Sequence, residues 1–180
     1  FPYIALDDVK AGYLATKYLI ENGHNKIALC LKSDDIQGHL RYKGAMAAAN
    51  DNNITISMEN VFWFTTEDIK YLEEDSNRIL RYLKNCTALF CYNDQIAAKI
   101  LKILKEKGYN LPEDYSIISI DDEKQAAVCS PPLTTIAHPK ELLGIEIAKS
   151  VFRLISGKKC DTNIYFEPEL IIRSSVKKIL

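Results

Sequence analysis

Apolar and polar positions along this chain alternate between a helical and a strand-like rhythm. From Lys10 to Asn22, Ala11, Leu14, Ala15, Tyr18 and Leu19 recur on one helical face, and Gly23 is a natural C-terminal stop. Lys26 to Leu31 is a short apolar run and reads as a buried strand. An alanine-rich helix is expected from Leu40 to Asn50, entered from a polar loop at Lys32 to His39. Val61 to Phe64 reads as the second strand, and Ile69 to Leu83 as a longer helix with Leu72, Ser76, Ile79, Leu80 and Leu83 in register. Ala88 to Tyr92 is the third strand. Asp94 is placed to cap the next helix, whose Ile96, Ala97, Ile100, Leu101 and Leu104 face inward until Gly108. Ser116 to Ile120 is the fourth strand, and Pro139 opens a final helix through Ile155 that stops at Gly157. Ile164 to Phe166 and Glu169 to Ile172 are short strand candidates separated by Pro168.

Strands and helices in this order, and of these lengths, predict βαβ units: an α/β fold with a parallel sheet covered on both faces. Open sheets of that kind bind ligands at the carboxyl ends of their strands. The run Ile118-Ser119-Ile120 ends in Asp121-Asp122, so Asp121 is a ligand-facing candidate. Pro131-Pro132 is expected to take the chain out of that layer in an extended conformation.

Composition narrows the class. The 180 residues are 47% hydrophobic and 26% charged, as in ordinary globular proteins, and 23 basic against 24 acidic residues give a net charge of -1. With no long basic block, direct nucleic-acid binding by this segment is disfavoured. The five cysteines are scattered with no CxxC pair, which argues against a metal or redox site and suits a reducing cytoplasm. Cys30 and Cys91 lie in apolar runs, where a thiol serves as a small hydrophobe. No apolar run is long enough to span a membrane. The chain contains no phosphate loop, HExxH, GxSxG elbow or dinucleotide glycine fingerprint, so no cofactor or catalytic centre is expected. Adjacent acids such as Asp7-Asp8 and Asp121-Asp122 do not make a catalytic dyad by adjacency, because neighbouring strand residues face opposite sides.

Several segments resemble one family. Gly12 through Thr16, Leu19 through Ala28, Arg41-Tyr42-Lys43-Gly44, Asn93-Asp94-Gln95-Ile96-Ala97, Gly108 through Asp122, Pro131 to Ile136 and Pro168 to Ser174 follow, in order, the effector-binding domain of the LacI/GalR transcriptional repressors. Ser33 through Gly38, Ala137-His138-Pro139-Lys140 and Phe166 through Leu170 look most like the arabinose-responsive subgroup of Gram-positive bacteria, which carries a GntR-type DNA-binding head. The resemblance implies a Rossmann-like three-layer sandwich of the type I periplasmic-binding-protein kind, mainly the C-terminal lobe. Residues 1–136 would form that lobe, 137–160 the hinge crossing and a helix of the N-terminal lobe, and 161–180 the returning segment. Most of the N-terminal lobe and the DNA-binding domain would precede Phe1.

The same resemblance implies site residues. Arg41, at an expected helix start, can donate forked hydrogen bonds to sugar hydroxyls. Asn93 offers donor and acceptor together, Asp121 can accept two hydroxyl hydrogens, and His138 follows the crossing segment. Trp63 or Phe64 is read either as a face for a sugar's C–H surface or as core. Asp35 reaches the cleft or is simply solvated. Asp94 is read chiefly as a cap, Asp122 as a brace, and Pro131 and Pro132 as hinge or structural residues.

The function implied is sensing of a small sugar, L-arabinose, by a cytoplasmic homodimeric repressor that reaches operator DNA through its missing head. A periplasmic sugar-transport protein and, less favoured, a carbohydrate-active α/β enzyme are the competing classes.

Overall fold

In the computed structural model, residues 3–72, 74–159 and 163–179 are described. The strands are β1 Ile4–Leu6, β2 Ile27–Lys32, β3 Val61–Phe64, β4 Ala88–Cys91, β5 Ser116–Asp121, β6 Thr134–Ala137, β7 Ile164–Phe166 and β8 Glu169–Ile171. The helices are α1 Asp8–Glu21, α2 Ile36–Asp51, α3 Ser76–Tyr82, α4 Asp94–Glu106, α5 Lys124–Val128 and α6 Lys140–Ile155. Six strands form one sheet in the order β3-β2-β4-β5-β6-β8, parallel except for β8. Five parallel strands therefore end at one edge, and every site residue discussed below lies at or near it.

The sheet is buried on both faces because its strands alternate between two cores. Ile27, Leu29 and Leu31 of β2 join Ala88 and Phe90 of β4 under α1 and α2. Ala28, Cys30, Leu89 and Cys91 face the other way, under α3 and α4. Both buried thiols are small core hydrophobes, as their setting in apolar runs suggested, and burial pushes their pKa values up. Cys160 lies outside the described residues.

Four sequence expectations change. Helix α2 begins at Ile36, not in the middle of a loop ending at His39, because Asp35 caps it by accepting the Gly38 N–H at 2.8 Å. The long third helix is reduced to a 3-10 turn over Asp68–Lys70 and the short α3. Asp68 folds back on the Thr65 N–H and hydroxyl, and Asp75 accepts from the Arg78 N–H, so two local caps divide the apolar repeat. The cap of α4 is Asn93, which accepts from the Ile96 N–H at 3.0 Å; Asp94 is already inside the helix. Finally, the diproline does not remove the chain from the sheet. Residues 134–137 pair with β5 in parallel and β8 in antiparallel register, and the chain leaves the layer only after Ala137. A partner strand on each side holds β6 in the sheet despite the preceding prolines.

Helix α6 stands apart from this body. It packs on β1, which pairs with β7 in a separate two-stranded parallel sheet. Its apolar residues are largely open, with Phe152 72% exposed.

Candidate functional site

The site is built from the first turn of α1, the second turn of α2 and the carboxyl ends of β2, β4, β5 and β6. Asp7 caps α1 through the Lys10 N–H, which sets Asp8 in the first turn with its side chain turned into the protein, 6% exposed. Arg41 is 2% exposed rather than displayed at a helix start. Its Nε donates to Asp8 Oδ1 at 2.8 Å and its Nη1 to the Tyr92 carbonyl at 2.5 Å. The guanidinium carbon lies 4.6 Å from the centre of the Tyr92 ring. Burial pushes the Asp8 pKa up against the opposing pull of Arg41.

Tyr92 is itself fixed. Its hydroxyl donates to Asp35 Oδ2 at 2.7 Å, and its ring meets Phe64 edge-on at 6.0 Å. Asp35 also takes Lys32 at 3.1 Å, so both its oxygens are committed within the chain. Burial opposes ionisation of Asp35. The Gly38 N–H, the Tyr92 hydroxyl and Lys32 together outweigh it and hold the carboxyl below its ordinary range. Burial and the bond to Asp35 push the Tyr92 phenol up, so it stays a donor. Asp35 therefore orients its neighbours rather than standing free in the cleft.

Capping leaves the Asn93 amide nitrogen unused by α4, and Asn93 borders a cavity of about 230 Å³ with Lys32, Tyr92 and Gln95. Beneath it, Asp94 is fully buried and accepts from Ser119 Oγ at 2.6 Å, Thr135 Oγ1 at 2.7 Å and the Glu123 N–H at 2.7 Å. Burial raises its pKa despite these donors. Asp94 thus ties α4 to β5, β6 and the turn that carries the next two acids.

At that turn Asp121 and Asp122 have φ of 120° and 49°, conformations that side-chain-bearing residues rarely adopt. Asp121 Oδ1 lies 3.5 Å from His138 Nδ1, across the start of the segment leading to α6. Both border an open groove of about 790 Å³ with Glu123 and Lys140. Asp122 borders the same groove, pairs with Arg173 Nη2 at 2.6 Å and braces the C-terminal segment against the sheet. Pro132 also holds that segment, accepting the Ser174 N–H, whereas Pro131 lies in the turn before β6.

Of the two aromatic candidates, Phe64 does not open onto this edge, whereas Trp63 is half-buried. Phe64 is sealed at 0% exposure in the core beneath α3 and α4. Trp63 faces the opposite side and packs between His39 and Tyr42, at 5.1 and 5.3 Å between ring centres. Strand alternation forces this division: Phe64 is a core residue, and Trp63 is half-buried against the opposite core.

The geometry brings Arg41, Asn93, Asp121 and His138 to one edge of the sheet. Sequence reading missed Asp8, Tyr92 and Lys32. Asp8 carried a weak signal as the second of two acids at a helix start. Tyr92 looked like the end of a strand, and its role depends on contacts 51 and 57 residues away. Among the described residues, no group of three or more His, Cys, Asp or Glu side chains is placed to hold a metal ion. No helix there is long and apolar enough to cross a membrane.

Residues 16–176 match the family model of the periplasmic binding protein-like domain. An arabinose metabolism transcriptional repressor of Halalkalibacterium halodurans is 34% identical over 96% of this chain and 48% of its own length. The transcriptional repressor PurR of Histophilus somni is 39% identical over 93% of this chain and 51% of its own. A LacI family transcriptional regulator of Enterococcus faecium, solved with bound ribose, superposes with a TM-score of 0.83 at 28% identity, covering 98% of this chain and 66% of that one. The chain spans about half the length of the curated relatives it matches.

Proposed function

The chain belongs to the periplasmic binding protein-like family, among the LacI/GalR effector domains, and from that premise we propose that it senses L-arabinose for a bacterial transcriptional repressor. The observation that carries this reading is the convergence of Arg41, Asn93, Asp121 and His138 on the carboxyl edge of a parallel sheet. Two of the Arg41 nitrogens are committed, and among the described residues no hydrogen bond is made by Nη2. That edge, the Asn93 amide and the Asp121 carboxylate offer donors and an acceptor matched to vicinal hydroxyls. The sugar is supported by the arabinose metabolism that the Halalkalibacterium relative represses and by the ribose bound to the Enterococcus regulator.

In this reading, β2 to β6 form one lobe of the sensor. The lobe boundaries expected from sequence shift: β1 and β7, expected in the first lobe with residues 1–136 and 161–180, pair in a separate sheet and join helix α6 in a second lobe, whose remainder covers the open apolar face of α6. The segment around His138 is the crossing between lobes, and sugar bound on both sides of it biases their angle. Regulation requires that the sugar bind two arrangements with unequal affinity. A homodimer in the cytoplasm, joined to a DNA-binding head, transmits that bias to the operator.

Calorimetric titration of L-arabinose into the full chain, with other pentoses and hexoses as controls, tests the reading. Saturable binding of L-arabinose, weakened at least about tenfold by Asp121→Asn, is the expected result. A folded protein that binds none of these sugars overturns the proposal.

A further inference from the structure

We infer that Tyr92 is a positioning residue for effector recognition: it sets the plane and direction of Arg41. The inference rests on the sensor reading above and goes beyond it, because Tyr92 acts without needing to touch the ligand.

A guanidinium is a rigid fork, so its useful edge is fixed once its plane is fixed. Three contacts fix the plane of Arg41. One is the bond from Nε to Asp8. The other two come from Tyr92: its carbonyl accepts from Nη1, and its ring lies against the guanidinium face at 4.6 Å. Among the described residues, the second Nη1–H and the two Nη2–H groups have no hydrogen-bond acceptor and are left for another partner.

The ring is held in turn. The Tyr92 hydroxyl donates to Asp35, and the other oxygen of Asp35 caps α2, the helix that carries Arg41. The contacts close a circuit: from the end of β4 to the cap of α2, along that helix into its second turn to Arg41, and back to the Tyr92 carbonyl. Lys32, on Asp35 from the end of β2, anchors the circuit to a neighbouring strand. A side chain whose support is tied both to its own helix and to the facing strand loses little further freedom when it meets a ligand. Neither substitution of Tyr92 considered below removes the carbonyl bond, so each isolates what the side chain contributes.

Two measurements on the full chain test this. The first needs no ligand. The Arg41 Nε–H and Nη–H resonances are followed by NMR in the wild type, Tyr92→Phe and Tyr92→Leu, with assignment from Arg41→Lys. Restricted, dispersed guanidinium signals are expected in the wild type. They should persist largely in Tyr92→Phe, which keeps the ring, and collapse toward free rotation in Tyr92→Leu. Unchanged signals in Tyr92→Leu overturn the inference whether or not any sugar binds.

The second is a double-mutant cycle on L-arabinose affinity. Tyr92→Leu alone should weaken binding roughly tenfold, the scale of a lost desolvated cation–π contact. In an Arg41→Lys background the same change should cost no more than about twofold, because its route to the ligand is already gone. An equal loss in both backgrounds, at matched melting temperature, means that Tyr92 acts independently of Arg41 and also overturns the inference. Absence of sugar binding to the wild type counts against the sensor reading alone, and the NMR result then decides the role of Tyr92.

Discussion

Arg41 and Asp8 form a buried ion pair, 2.8 Å from Nε to Oδ1, in the seam between the first two helices. An ion pair out of water gains little net stability but becomes costly when one partner is removed, because the other charge is stranded. Asp8→Ala should therefore destabilise the protein by about 3 kcal/mol or more. Asp8→Asn, which keeps an acceptor, should cost less. Urea unfolding midpoints of the two variants check both the size and the order.

The same seam depends on close backbone approach. A Cβ on Gly44 would sit 1.9 Å from the Val9 carbonyl oxygen, and one on Gly12 would sit 2.1 Å from that of Arg41. Backbone cannot rotate out of such a clash, so the helices must separate. Gly44→Ala is expected to cost about 2–3 kcal/mol despite alanine's better helix propensity. Gly144→Ala, whose added methyl meets nothing within 4 Å, serves as the opposite control and should be neutral or slightly stabilising. Thermal melts of the pair separate the two effects.

At the other end of the sheet the C-terminal segment is stitched down by Ser175. Its hydroxyl donates to the Ile117 carbonyl at 2.5 Å and accepts the Thr134 N–H at 2.8 Å, both in the buried interior. Ser175→Ala leaves two main-chain groups without that partner, at a cost of about 2 kcal/mol. Hydrogen exchange at Thr134 should accelerate in this variant while exchange in α4 stays close to the wild type.

His24 holds the same segment through Lys177 and is buried, with Nδ1 2.9 Å from the Thr87 hydroxyl and Nε2 3.1 Å from the Lys177 carbonyl. Burial lowers its pKa below the ordinary 6.5. The unfolded chain therefore takes up a proton at this residue before the folded one does. Its contribution is fully present above pH 6.5 and is lost as pH falls from there through the lowered folded value. Asp8 and Asp94 run the other way: their raised folded pKa values mean that the native state takes up those protons first. The difference between wild type and His24→Gln isolates the histidine. Stability measured from pH 7.5 to 5 should fall more steeply in the wild type.

Local chemistry made much of this architecture legible in the sequence. The β3 boundaries at Val61 and Phe64 follow from a short apolar run, and α1 from a helical repeat closed by Gly23. Arg41, Asn93, Asp121 and His138 were singled out because their chemistry and order resemble those of a sugar sensor. The cap of α4 was misassigned by one residue because Asn93 and Asp94 are both good cap formers. Only the fold shows that Asp94 is taken up by Ser119 and Thr135. Likewise Asp68 and Asp75 broke an apolar repeat that looked continuous.

The sequence by itself determined the alternation of strands and helices, since hydrophobic period, caps and glycine stops act over a few residues. It also placed the acids and amides that follow β4 and β5. Tertiary structure alone decided that β6 stays in the sheet, that Phe64 is packed away, and that Arg41 is gripped by Asp8 and Tyr92. Those outcomes depend on which groups meet after the chain has crossed the sheet several times. A contact between residues 33 or 51 positions apart leaves no periodic trace in the sequence between them.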